Sequence, residues 1–145
     1  PLVATADIGD LTREVGAHQA GWSEPRLARL YHQVGAAFDF DRLRAAAGAV
    51  PSVDHFDRLA VRRLIEDLMG EQVALTRAVA TASQPGDGDS EATAEAAVDA
   101  WIGPRQSLVA GVRASVDEIE ASGTGWTFAK LTIANGQIRQ VIGSA

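Results

Sequence analysis

The sequence predicts an all-α fold, and three observations predict it. Apolar residues recur at steps of three and four along almost the whole chain. The clear, sustained two-residue alternation of a half-buried strand is absent beyond short stretches such as 129–133. Alanine is the commonest residue by far, and leucine and arginine, also good helix formers, are abundant. The expected architecture is one domain spanning 1–145, a compact bundle of about six to seven helices with one long central helix.

Taken in order, a first helix is expected from Asp7 to Val15. Asp7 suits the positive helix end there, and Gly16 closes it. A loop through Gly21 and Trp22 then leads to Ser23, a good N-cap, with Pro25 in the following turn. The helix this opens carries Leu27, Leu30, Tyr31, Val34 and Phe38 on a single face. A short helix capped by Asp39 or Asp41 follows and ends near Gly48, with Pro51 just beyond.

Ser52 is the expected cap of the longest helix, which runs to about Thr81. Val53, Phe56, Ala60, Leu64, Leu68, Leu75 and Val79 make its main stripe, and Ile65, Met69 and Val73 a second. Two stripes call for two packing neighbours. Asp54–Arg58, Arg62–Glu66 and Arg63–Asp67 are spaced for ion pairs along the solvated side, each contributing ~0.2–0.5 kcal/mol. Gly70 costs this helix about 1 kcal/mol relative to alanine and allows a bend.

Residues 83–90, SQPGDGDS, read as a flexible acidic loop. Ser90 caps the next predicted helix, which ends near Trp101 and Ile102, where Gly103-Pro104 break or kink the path. A further helix carries Leu108, Val112, Val116 and Ile119 and stops at Gly123. The last, from about Thr127 to Ile142, turns Phe128, Leu131, Ala134, Ile138 and Val141 inward.

Composition narrows the function. No apolar run approaches the ~20 residues that cross a bilayer, and no basic stretch precedes an apolar N-terminal core. The chain starts at Pro1 rather than methionine, so a segment of a longer polypeptide is expected. The absence of cysteine excludes disulfides and thiolate chemistry and fits a cytoplasmic location. Net charge is −6, and after position 82 only Arg105, Arg113, Lys130 and Arg139 are basic. Nucleic acid, which needs a basic face to replace phosphate counterions, is therefore not an expected partner.

The search for a catalytic, cofactor or metal site ends empty. The close glycine pairs, Gly86/Gly88 and Gly123/Gly125, follow no apolar strand and reach no third glycine, so no dinucleotide-binding turn is expected. His18, His32 and His55 form neither a His-Glu-x-x-His nor a Glu-x-x-His motif, and they read as ordinary polar side chains. Asp117, Glu118 and Glu120 read as a solvated face rather than an acid–base pair, which would need a cleft to separate their pKa values. There is no Gly-x-Ser-x-Gly. The single lysine, Lys130, reads as a surface charge with its stem over apolar neighbours. Trp22, Trp101 and Trp126 lie in loops or at helix ends, where such rings seal a bundle and the indole N–H reaches a backbone carbonyl. Anchoring a partner surface is the alternative for them.

Three stretches, taken in order, are similar to the C-terminal region of the large bacterial NAD-dependent glutamate dehydrogenases. They are RLARLYHQVGAAFDFDRLR (26–44), DHFDRLAVRRLIEDLMGEQVALTRAV (54–79) and FAKLTIANGQIRQVI (128–142). Leu30, Tyr31 and Gly35 match the first block, and Leu43 and Arg44 the short helix after it. Leu59, Ala60, Leu64, Asp67, Leu68, Gln72 and Leu75 match the long helix. Trp101 matches a later tryptophan, and Leu131, Ala134, Ile138 and Arg139 the closing block. Phe56 stands where the family has tryptophan, and Asn135-Gly136 stand where better helix formers are expected, so the last helix is expected to fray or bend.

The resemblance implies a parent enzyme that deaminates glutamate oxidatively with NAD, its dinucleotide fold and catalytic lysines lying outside this segment. It implies no catalytic, cofactor or metal residue here. The expected partners are the parent's catalytic domain and neighbouring subunits of a homo-oligomer. A free-standing helical module that binds a partner helix is the competing expectation.

Overall fold

The structure is a computed structural model that describes residues 22–49, 55–83, 90–121 and 128–144, with the side chains of 49, 55–57, 119 and 128 excepted. The described residues hold no strand. Their elements are α1 (Glu24–Ala37), α2 (Phe40–Ala49), α3 (His55–Ala82), α4 (Glu91–Ile102), a 3-10 turn (Gly103–Arg105), α5 (Gln106–Ala121) and α6 (Phe128–Gly143). The predicted helix at Asp7–Val15, the Ser52 cap, Trp126, Gly123 and most of the 83–90 loop lie outside the described residues.

Local chemistry sets most helix starts. Ser23 and Ser90 both sit in extended backbone, and the Oγ of each accepts from the backbone N–H three residues on, at 3.3 Å (Arg26 and Thr93). The α1–α2 junction turns on Asp39, whose φ of 56° is left-handed, a region aspartate tolerates better than most residues. The Asp39 carbonyl accepts from Leu43 N–H at 3.0 Å and opens α2. Its carboxylate lies near Arg42 and Arg113, and Arg113 Nη2 also donates to the Ala37 carbonyl at the end of α1, at 2.7 Å. Positive charge placed on a helix C-terminus is favourable.

Leu27, Leu30, Tyr31 and Val34 of α1 are buried, with Phe38 just beyond, as the single-stripe pattern requires. On α3 the main stripe is buried at Leu64, Leu68, Leu75 and Val79, while Ile65 and Val73 are partly buried at its flank. The helix packs against α1, α2, α4 and α6. Gly70 is exposed, and the helix passes through it as one element. Of the two expected ion pairs that lie wholly within the described residues, Arg62–Glu66 forms at 3.5 Å. Asp67 instead meets Arg139 of α6 at 3.3 Å.

At Gly103-Pro104 the chain tightens rather than breaks. Gly103 stays right-handed, and the 3-10 turn passes directly into α5. Arg105 fixes this joint, stacking 4.0 Å from the Trp101 ring centre and donating to the Trp101 carbonyl and to Ser144 Oγ. On α5 the inward positions are Val109, Val112 and Val116. Leu108, expected inward, is 38% exposed, because Val109, about 100° further round the helix, faces the core in its place. On α6 Leu131, Ala134, Ile138 and Val141 are buried as expected. The helix also continues unbroken through Asn135-Gly136, because buried residues on either side hold that turn in place.

Candidate functional site

Among the described residues the long helix α3 carries three of the four buried polar side chains around which any site would be built, Glu71, Gln72 and Thr76; the fourth, Asn135, is on α6. Thr76 Oγ1 is satisfied within its own helix by the Gln72 carbonyl, at 2.8 Å. Glu71 and Gln72 reach across to neighbouring helices.

Gln72, 2% exposed, is the centre of the first polar node. Its Nε2 donates to the Tyr31 carbonyl of α1 at 3.0 Å, and its Oε1 accepts from Arg44 Nη1 of α2. Arg44 is itself held by Asp41 and lies over the Phe40 ring. Gly35 lets this happen: a Cβ on it would stand 2.7 Å from Gln72 Nε2. One side-chain amide thus joins three helices, at a point where α1 can approach only without a side chain.

Arg139 of α6 makes the second node. Its Nε donates to Glu71 Oε1 at 2.7 Å, and its Nη2 to Asp67 Oδ2 at 3.3 Å. Burial pushes the Glu71 carboxyl above the usual carboxylate range, and the Arg139 hydrogen bond and charge offset this only in part. Arg139 keeps its charge more firmly through that same bond. The two partners differ because Glu71 is nearly buried and Arg139 is mostly exposed. Glu71 Oε2 is buried without a hydrogen-bond partner.

Beside this node a cleft of about 460 Å³ opens between α3 and α6, lined by Leu59, Arg63, Asp67, Asn135, Gly136 and Arg139, among others. Asn135 is 5% exposed, and its Oδ1 has no partner.

The residues singled out in the sequence are scattered. His32 is exposed and meets Tyr31 edge-on at 6.0 Å, while His18 and the His55 side chain lie outside the described residues. Among the described residues no three acids or histidines are placed to hold a metal ion. Asp117 and Glu118 are exposed. Glu120, also exposed, faces Arg42 of α2 in a two-point contact, and the Arg42 hydrogen bond holds its carboxyl below the usual range. Trp22 and Trp101 are buried in the core, with Trp101 edge-on to Phe38. Contrary to expectation, the Trp22 indole nitrogen has no hydrogen-bond partner. The described residues hold no strand, and so no strand-to-helix turn of the kind that cradles a dinucleotide pyrophosphate; Gly86/Gly88 and Gly123/Gly125 lie outside them.

The polar nodes on α3 were missed as buried groups. The hint for one of them lay in the resemblance, which had picked out Tyr31, Gly35, Arg44 and Gln72 separately. In the fold these four meet at one point.

The fold and its nodes define an all-helical domain whose buried polar side chains mainly tie helix to helix. Among the described residues, no helix is long and apolar enough to cross a membrane. Comparison with curated proteins and with solved structures gives no match. The family model "Glutamate dehydrogenase, C-terminal" matches residues 2–140, nearly the whole chain, and the chain belongs to that family.

Proposed function

We propose that this chain is a non-catalytic, structural C-terminal domain of a cytoplasmic NAD-dependent glutamate dehydrogenase. The parent converts glutamate and NAD to 2-oxoglutarate, ammonia and NADH. This domain supports its fold and assembly and contributes no catalytic, cofactor or metal residue.

The observation that carries this reading is how the polar residues matching the family are used. Arg44 and Gln72 bond to each other, and Asp67 and Arg139 bond to each other across α3 and α6. Side chains engaged this way hold helices in register. Asp67 and Arg139 border the α3–α6 cleft, but the Arg44–Gln72 pair lines none of the clefts described, whereas catalysis calls for polar groups converging on a pocket. Isothermal titration of NAD into the 145-residue chain, with and without glutamate, tests the reading. No saturable heat is expected, and saturable micromolar binding overturns it.

A further inference from the structure

The cleft between α3 and α6 has an apolar side and a guanidinium that the domain leaves unused. Leu59 and Ala60 of α3 form the apolar side, and Leu59 is 46% exposed. Two arginines and one acid, Asp67, complete the ionisable lining. Arg139 is committed to Asp67 and Glu71. Arg63 is not committed: it stands one helical turn from Asp67, is exposed, and makes no ion pair or hydrogen bond among the described residues. Its whole fork of N–H donors is open. On the facing helix the cleft is bounded by Gly136. A glycine there weakens α6 relative to alanine, yet a Cβ would meet nothing within 4 Å, so Gly136 does not serve packing inside the domain as Gly35 does. What it keeps clear is the cleft, which a side chain at 136 would enter.

These features fit a small amphiphilic anion. The volume, about 460 Å³, falls within the ~300–1,000 Å³ of small-ligand pockets. The planar guanidinium of Arg63 matches the two oxygens of a carboxylate, and Leu59 and Ala60 give an apolar body something to lie on. Asp67, one turn away, repels a second negative charge, which favours a monoanion over a phosphate dianion. We propose that the α3–α6 cleft binds a small monocarboxylate with an apolar body, its carboxylate on Arg63 and its body against Leu59 and Ala60. The domain then has a ligand of its own in addition to the structural role proposed above.

Photolabelling of the full-length enzyme tests it. The probe is a short aliphatic carboxylate carrying a diazirine in its chain, and the labelled peptides are mapped by mass spectrometry. The expected result is saturable labelling within 59–64 or 132–136, the two sides of the cleft, competed by hexanoate and not by hexanol. Arg63→Ala breaks no ion pair or hydrogen bond among the described residues and should cut that labelling about tenfold or more. Gly136→Leu, whose Cβ has open space, should block it, and both variants should melt no lower than the unmodified enzyme. Absence of saturable labelling in these two segments overturns the proposal. Equal competition by hexanol overturns the carboxylate as the recognised group. Labelling undiminished in Arg63→Ala overturns Arg63 as its anchor, and labelling that survives Gly136→Leu overturns the cleft as the place of binding.

Discussion

Replacing Gly35 with alanine should destabilise the domain although helix propensity favours the change. In an exposed helix the substitution gains about 1 kcal/mol. Here the new Cβ would stand 2.7 Å from Gln72 Nε2, closer than packed atoms tolerate, and the three nearest atoms all belong to Gln72. Gln72 is 2% exposed, so it has little room to retreat without losing its partners. Its bond to the Tyr31 carbonyl contributes roughly 0.5–1.5 kcal/mol, and the bond from the Arg44 guanidinium roughly 1.5–3 kcal/mol. Set against the propensity gain, the net loss is about 1–3.5 kcal/mol. Urea unfolding of the 145-residue chain, followed by circular dichroism, measures it. In a Gln72→Ala background every atom the Cβ would meet is gone, so the same substitution should become neutral or stabilising. If Gly35→Ala stabilises the unmodified chain, Gln72 is not held at that point and the three-helix node is wrong.

Gly136→Ala, with open space beyond its Cβ, should raise stability by about 1 kcal/mol in the same assay, and a loss would mean that position is packed. Arg42→Ala removes exposed pairs with Asp117 and Glu120 and a half-buried one with Asp39, which keeps Arg113 nearby, and should change stability by no more than about 1 kcal/mol; a larger loss would contradict the solvent-screened setting of the Arg42 guanidinium. The Glu71 carboxyl is raised by burial, so its contribution is fully present below the ordinary carboxylate value and is lost as pH rises through its folded value. Melting curves of the chain and of Glu71→Gln between about pH 4 and pH 8 should show the unmodified chain losing ground to the variant as pH rises, and the opposite trend refutes the burial argument.

The parts of the fold legible in the sequence were those set by neighbours along the chain. Ser23 and Ser90 cap helices through residues three positions away, and the α1 stripe needs only helical spacing. What was not legible depended on distant partners. Gln72 finds Tyr31 41 positions away, and Glu71 finds Arg139 68 positions away; in sequence both Gln72 and Glu71 lie beside the apolar stripe and look like surface residues. Asp67 had Arg63 one turn away, but Arg139 of α6 takes it in the fold. Leu108 and Val109 are adjacent apolar residues, and spacing alone does not choose between them. Asn135-Gly136 looked like a flaw in the last helix because propensity counts its local cost and omits the anchoring by Leu131, Ala134 and Ile138. Of the candidate site, the polar matches were legible as residues, and their convergence on α3 was not.

The central claim is that this domain supports its parent enzyme structurally and supplies nothing to the chemistry. Leu64→Ala in the full-length enzyme tests it most directly. Leu64 is 5% exposed on α3, and its truncation should cost ~2–5 kcal/mol out of a typical total of ~5–15 kcal/mol. Glutamate turnover measured on the fraction of the variant that remains assembled should keep a near-normal kcat and near-normal KM values for NAD and glutamate, while thermal stability or assembly falls. A variant that stays folded and fully assembled yet loses turnover would place this domain in the active site and contradict the account.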